Sequence, residues 1–151
     1  HTRCADVTGV QNVCSSDLMQ ELLKREGAHL DGIYYCPHHP DIGVPPYRQK
    51  CRCRKPATGL IEEAVKQLAL DTSQSYMVGD RGMDIEFAYQ IGAKAILVLT
   101  GYGKGELKYF REQWKVKPDH VAEDLFEAVQ WILLQESHRP NLGKENEDAH
   151  Q

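Results

Sequence analysis

Ser75–Gly101, SYMVGDRGMDIEFAYQIGAKAILVLTG, decides the fold. SYMVGD reads as a strand that leaves through a turn at Gly79. DIEFAYQIGA reads as a helix, with Gly92 as its stop, because glycine takes the left-handed conformation that commonly ends a helix without steric cost. KAILVLTG is apolar on both faces, the pattern of a parallel strand covered on both sides. Strand, helix and strand in this order form one right-handed crossover, so the chain is α/β with a parallel sheet.

Outward from this unit, ATGLIEEAVKQLALD carries Leu60, Ile61, Ala64, Val65 and Leu68 on one stripe and predicts an amphipathic helix. GIYYC, ending at Cys36, predicts a short buried strand. A helix is expected near 17–27, with Ser15 or Ser16 as its cap and Gly27 as its stop. AEDLFEAVQWILLQ predicts a last amphipathic helix, and the tail from Ser137, which has no apolar period, is expected to be disordered. The 151 residues suit one core, and an apolar fraction of 41% with 26% charged residues is ordinary for a globular protein. The net charge of −4 offers no basic face, so nucleic acid is not an expected partner. No run approaches the roughly 18 apolar residues of a membrane span, so no membrane association is expected. No signal peptide is read at the start. With cysteines paired as in a metal site, the expected compartment is the cytoplasm.

Between GIYYC and the first amphipathic helix lies CPHHPDIGVPPYRQKCRC, Cys36–Cys53, with three of the five cysteines and two of the seven histidines. The spacing is Cys-x-His, twelve residues, then Cys-x-Cys. Alternation by two lets residues i and i+2 of an extended backbone point the same way. Cys36, His38, Cys51 and Cys53 then offer three sulfurs and one imidazole nitrogen, a closed tetrahedral set for structural zinc. Pro37, Pro40, Pro45 and Pro46 stiffen the loop and lower the entropy lost in closing it. The plain alternative is a surface loop with scattered thiols.

Ligands of an open α/β sheet sit at the carboxyl ends of its strands. Asp80 and Asp84 leave a strand there through a glycine turn and suit a hard cation such as magnesium. Arg54 and Lys55, directly after the last cysteine, supply positive charge. A cation, a lysine and a strand-end loop together suit phosphoryl transfer, in which charge gathers on the equatorial oxygens. Singly, each feature has a plain reading as a helix cap or a solvated charge.

GIYYCPHHP, CRCRKPATGLIEEA and YMVGDRGMDIEFAYQIGAKAILVLTG together resemble the D-glycero-D-manno-heptose-1,7-bisphosphate 7-phosphatases of the haloacid dehalogenase superfamily, over about residues 18–135. The related histidinol-phosphate phosphatases share the cysteine loop in a shorter form, and the twelve-residue spacer favours the heptose enzymes. The resemblance implies structural zinc at Cys36, His38, Cys51 and Cys53. It implies substrate recognition by Arg54, a Lys55 that steadies nucleophile and phosphoryl group, and catalytic magnesium at Asp80 with Asp84 nearby. Arg81, also assigned to substrate, stands where the family commonly has lysine, and a guanidinium fork does not bind as an ammonium does. The implied fold is a partial Rossmannoid sheet with a zinc loop and without its first strands. The implied substrate is a small phosphorylated sugar, and a monomer is expected.

The family attacks phosphorus with the first aspartate of an Asp-x-Asp motif, and this sequence has none; Asp6 and Asp17 stand alone. The chain is therefore expected to be a C-terminal portion, inactive by itself and poorly folded. Residues 1–17 match nothing in the family and resemble translated adapter read-through, in which case His1, Cys4 and Cys14 carry no role; a divergent natural N-terminus is the alternative. The phosphatase domain is then 18–136, with a tail at 137–151. His39 is expected at the surface or beside the zinc ligands, and His29, His120 and His138 at the surface or in packing. Trp114 and Trp131 are expected in the core; the glycines of TGYGKGE could approach phosphate, but after a strand they more often just turn the chain. The rival to an enzyme is a non-catalytic zinc module, which would not need the strand–glycine–aspartate turn.

Overall fold

The computed structural model describes residues 15–138. Its elements are α1 (Ser15–Arg25), α2 (Gly59–Leu68), β1 (Tyr76–Gly79), α3 (Gly82–Gln90), β2 (Lys94–Val98), the short turn α4 (Gly103–Gly105), β3 (His120–Ala122) and α5 (Leu125–Ser137). Irregular helical turns continue from α4 through Gln113. The three strands form one parallel sheet in the order β1-β2-β3, with Val78 opposite Ile96 and Ile96 opposite His120.

Two-residue alternation along β2 sends its side chains to two separate cores. Ala95 and Leu97 join Ile85 and Ala88 of α3 on one face, with Met77, Leu107, Trp114 and Val116 around them. Ile96 and Val98 join Ala122 and Ala128 of α5 on the other, with Tyr76, Val78, Trp131 and Ile132. The central strand is thus covered on both sides, as its unbroken apolar run predicts. Ile96 and Leu97 are fully buried, and each contributes about 1.5–3 kcal/mol of apolar burial. Trp114 and Trp131 are half-buried and pack against the two cores, and His120 stacks on Trp131 with ring centroids 4.7 Å apart.

Both predicted glycine stops are built alike. Gly27 and Gly92 each have φ +74°. Beyond α1, Ala28 N–H bonds to Leu23 carbonyl and Gly27 N–H to Lys24 carbonyl; beyond α3, Ala93 bonds to Ala88 and Gly92 to Tyr89. These paired bonds satisfy carbonyls the helix leaves open, and the left-handed residue between them favours glycine. In α2 the predicted stripe holds, with Ala64 buried and Leu60, Ile61, Val65 and Leu68 half-buried. Asp124 caps α5 by accepting the Glu127 N–H at 3.0 Å.

GIYYC is not a strand. Residues 32–36 run without a ladder, and only Ile33, Tyr34 and Cys36 of the five are half-buried. A strand exists through its partner, and the free edge of β1 is not offered to this segment. Tyr34 instead donates its hydroxyl to Gln67 Oε1 of α2 at 2.8 Å. Ser15 and Ser16 are the first residues of α1 rather than its cap, and Ser137 still belongs to α5. The expectations for residues 1–14 and 139–151 lie outside the described residues.

Candidate functional site

The Cys36–Cys53 loop closes on itself through its backbone. His39 N–H bonds to Tyr47 carbonyl and Gln49 N–H to His39 carbonyl, while Tyr47 and Arg48 both donate to Val44 carbonyl. The His39 ring faces inward to this turn, with Nδ1 accepting the N–H groups of Asp41 at 3.2 Å and Ile42 at 2.9 Å. His39 is therefore a scaffold for the loop's tip, a role spacing alone does not reveal.

The closed loop brings together the four side chains singled out from spacing. One ligand atom from each of Cys36, His38, Cys51 and Cys53 lies within 4.8 Å of every other. The Sγ atoms of Cys51 and Cys53 are 2.9 Å apart, Cys53 and Cys36 3.3 Å, and Cys36 and Cys51 3.4 Å. His38 Nδ1 is 3.5 Å from Cys53 Sγ and 4.0 Å from Cys36 Sγ. Zinc–sulfur bonds of about 2.3 Å at tetrahedral angles put sulfurs roughly 3.8 Å apart, so the group is the size of one small ion's shell. The donors, three soft thiols and an imidazole, suit zinc. The Cys53 thiol hydrogen-bonded to Cys51 holds the Cys51 thiol down to about 6, with Cys36 and His38 adding to this. The same Cys51 bond pushes Cys53 up to about 12.

The loop's exit is pinned to the start of α2. Gly59 N–H bonds to Arg52 carbonyl at 2.9 Å, and a side chain on Gly59 would collide with that carbonyl. Arg54 reaches back and donates Nη1 to His38 carbonyl at 2.9 Å, strapping the Cys-x-Cys end to the Cys-x-His end. Lys55, one residue on, points to the sheet, with Nζ 2.8 Å from Asp84 Oδ1 and 5.6 Å from the Phe87 ring centroid. Among the described residues Asp84 is the one charged residue in the core, 7% exposed. It packs so closely on Gly79 that no side chain fits there, which explains the glycine ending β1.

Asp80 leaves the carboxyl end of β1 and accepts the Tyr102 N–H on Oδ2 at 2.9 Å. The structure thus joins Lys55 to Asp84 directly and sets Asp80 four residues before it, on the turn from β1 into α3. The Arg81 guanidinium stacks over the Tyr102 ring at 4.0 Å. Glu106 Oε2 accepts the N–H of Gly82, the first residue of α3, at 3.0 Å. Tyr102 and Glu106 escape sequence reasoning. Their one signal is the run of glycines at 101, 103 and 105, which also suits a plain turn.

A family model for HAD-hydrolase-like proteins matches residues 52–128. The D-glycero-D-manno-heptose-1,7-bisphosphate 7-phosphatase of Chlorobaculum tepidum is 37% identical over 79% of this chain and 61% of its own. The D-glycero-beta-D-manno-heptose-1,7-bisphosphate 7-phosphatase of Haemophilus ducreyi is 43% identical over 70% of this chain and 55% of its own. Among solved structures, the D,D-heptose 1,7-bisphosphate phosphatase of B. bronchiseptica, complexed with magnesium and phosphate, is 34% identical with a TM-score of 0.64, over 80% of this chain and 62% of that one. The chain therefore spans less than two thirds of the length of these relatives. The parallel sheet, the aspartate turn at its carboxyl edge and a match from the Cys-x-Cys pair into α5 lead to one conclusion: the chain belongs to the haloacid dehalogenase-like hydrolase family.

Proposed function

We propose that these residues form the zinc loop and the cation edge of a magnesium-dependent phosphatase that removes the 7-phosphate of D-glycero-D-manno-heptose 1,7-bisphosphate. The observation that carries the reading is the Lys55–Asp84 bond of 2.8 Å, which fixes the cation that follows the cysteine loop against the aspartate turn. Cys36, His38, Cys51 and Cys53 hold zinc, which shapes the loop and takes no part in the reaction. Asp80, with Asp84 beside it, holds magnesium, which supplies charge neutralisation at the phosphoryl oxygens when bound. Lys55 is oriented by Asp84 toward the same edge and offsets charge on the transferring group. Arg54, tied to the loop, faces the substrate. The relatives' names and the solved neighbour's magnesium and phosphate support this assignment.

The reaction in this family starts from a carboxylate nucleophile in an Asp-x-Asp pair, which the 151 residues do not contain. We infer that they bind metal but turn over no substrate by themselves. The protein acts on a small phosphorylated sugar, as a monomer in the cytoplasm. A net charge of −4 offers no basic face to nucleic acid, and no helix among the described residues is long and apolar enough to cross a membrane.

The test compares phosphate release from the heptose bisphosphate and from histidinol phosphate, with magnesium, in a protein carrying these residues together with the relatives' Asp-x-Asp strand. Preference for the heptose ester and a large loss of kcat in Lys55→Ala support the reading. Preference for histidinol phosphate moves it to the neighbouring phosphatases. Turnover within a factor of two in Lys55→Ala removes Lys55 from the chemistry.

A further inference from the structure

The loop Thr100–Glu106, TGYGKGE, has no part in the function proposed above, yet it grips the Asp80 turn at several points. Tyr102 N–H donates to Asp80 Oδ2 at 2.9 Å. Gly101 has φ +59°, and a Cβ there would strike that same oxygen. Gly103 lies so close to the Val98 carbonyl that it too admits no side chain, which fastens the loop to the end of β2. Glu106 Oε2 accepts Gly82 N–H at 3.0 Å, on the far side of the turn. The Arg81 guanidinium, between Asp80 and Gly82, lies over the Tyr102 ring at 4.0 Å.

We propose that this loop is the positioning element of the cation site: it fixes Asp80 by one carboxylate oxygen and leaves the other to meet a divalent cation. Among the described residues Oδ1 of Asp80 has no hydrogen-bond partner, whereas Oδ2 has the Tyr102 amide. A carboxylate held through one oxygen by an N–H group keeps its rotamer before the ion arrives, so less ordering is left to binding. It also presents a single oxygen, which suits the near-octahedral geometry magnesium demands. The two small residues are required by contact: Gly101 leaves room for the oxygen and Gly103 for the carbonyl. Arg81 belongs to the same device. A guanidinium stacks on an aromatic face better than an ammonium does, so the Arg81–Tyr102 pair closes the loop over the turn.

The inference rests on the reading of Asp80 as a cation ligand, and its test separates the two. The probe is manganese in place of magnesium, its affinity for the intact protein read from the free-ion electron paramagnetic resonance signal. Asp80→Asn tests the ligand. Tyr102→Pro removes the N–H and the ring and sets a ring carbon against Oδ2, while the backbone at Tyr102, φ −85°, is near the range proline imposes. Gly101→Ala pushes on Oδ2, and Tyr102→Phe keeps both N–H and ring. Expected are loss of the site in Asp80→Asn, at least tenfold weaker binding in Tyr102→Pro and Gly101→Ala, and affinity within twofold of the parent in Tyr102→Phe. Thermal melting accompanies each variant, and if Tyr102→Pro does not fold, Gly101→Ala decides. Loss in Asp80→Asn with unchanged affinity in folded Tyr102→Pro or Gly101→Ala overturns the positioning role alone. Unchanged affinity in Asp80→Asn overturns the ligand reading and the inference with it.

Discussion

The cysteine loop and the aspartate turn sit side by side, joined through Arg54 and Lys55, yet they are held by opposite means. From Cys36 to Cys53 no residue is buried and no helix or strand forms; a few backbone bonds and four convergent ligand atoms give the loop its shape. The turn from Asp80 to Asp84 hangs from β1 and α3, which pack on the covered strand β2. Its order comes from apolar burial beneath it and from the bonds that the Thr100–Glu106 loop makes to it. One region owes its fold to side-chain chemistry that a metal can complete. The other owes it to the sheet.

That contrast separates what each perturbation breaks. The largest effect is expected from Leu97→Ala, because Leu97 is fully buried in the core that carries the turn. A loss of about 2–5 kcal/mol is expected, a large part of the roughly 5–15 kcal/mol that holds a domain together. In thermal unfolding the sheet's transition falls steeply, while zinc content measured below that transition stays unchanged. Zinc lost in parallel with the sheet would erase the contrast.

The next effect runs the other way. Cys51→Ser, or a strong chelator, should release the metal and strip amide-exchange protection from 36–53. Protection in β2 should persist, because Ile96 and Leu97 are buried by α3 and α5 rather than by the loop. Collapse of both regions on chelation would mean that the loop supports the sheet.

Asp84→Asn probes the seam between the two. It keeps an oxygen acceptor for Lys55 but removes the charge, and bonds to charged groups contribute about 1.5–3 kcal/mol. Lys55 is 38% exposed on its side chain, so water offsets part of this and the lower end is expected. Tyr34→Phe should have the smallest effect, about 0.5–1.5 kcal/mol, since it removes one hydroxyl bond to Gln67 that ties residues 32–36 to α2. Urea unfolding of each variant beside the parent measures both.

How legible each region was in the sequence follows the same division. β2 announces itself by an unbroken apolar run, β1 by the strand-to-glycine turn that ends it, and Gly27 and Gly92 mark helix ends because their φ values favour glycine. The Cys36, His38, Cys51 and Cys53 cluster is legible because soft donors in two spaced pairs converge once the loop closes. GIYYC misleads because its composition is that of a strand, while pairing depends on a partner that local sequence does not reveal. β3 escapes because it has three residues, of which only Ala122 is buried. The grip of Tyr102 on Asp80 is made by a backbone N–H, which every residue but proline carries, so no side-chain pattern reports it.

The central claim, that the cysteine loop is folded by its metal, is tested most directly on the metal itself. Protein purified without added chelator should contain about one zinc per chain, and its X-ray absorption spectrum should fit three sulfurs at about 2.3 Å and one nitrogen at about 2.0–2.1 Å. Replacing the imidazole by a thiol, in His38→Cys, should change that fit to four sulfurs with zinc retained. Less than half an equivalent of zinc in folded protein, or a shell dominated by oxygen, would contradict the claim.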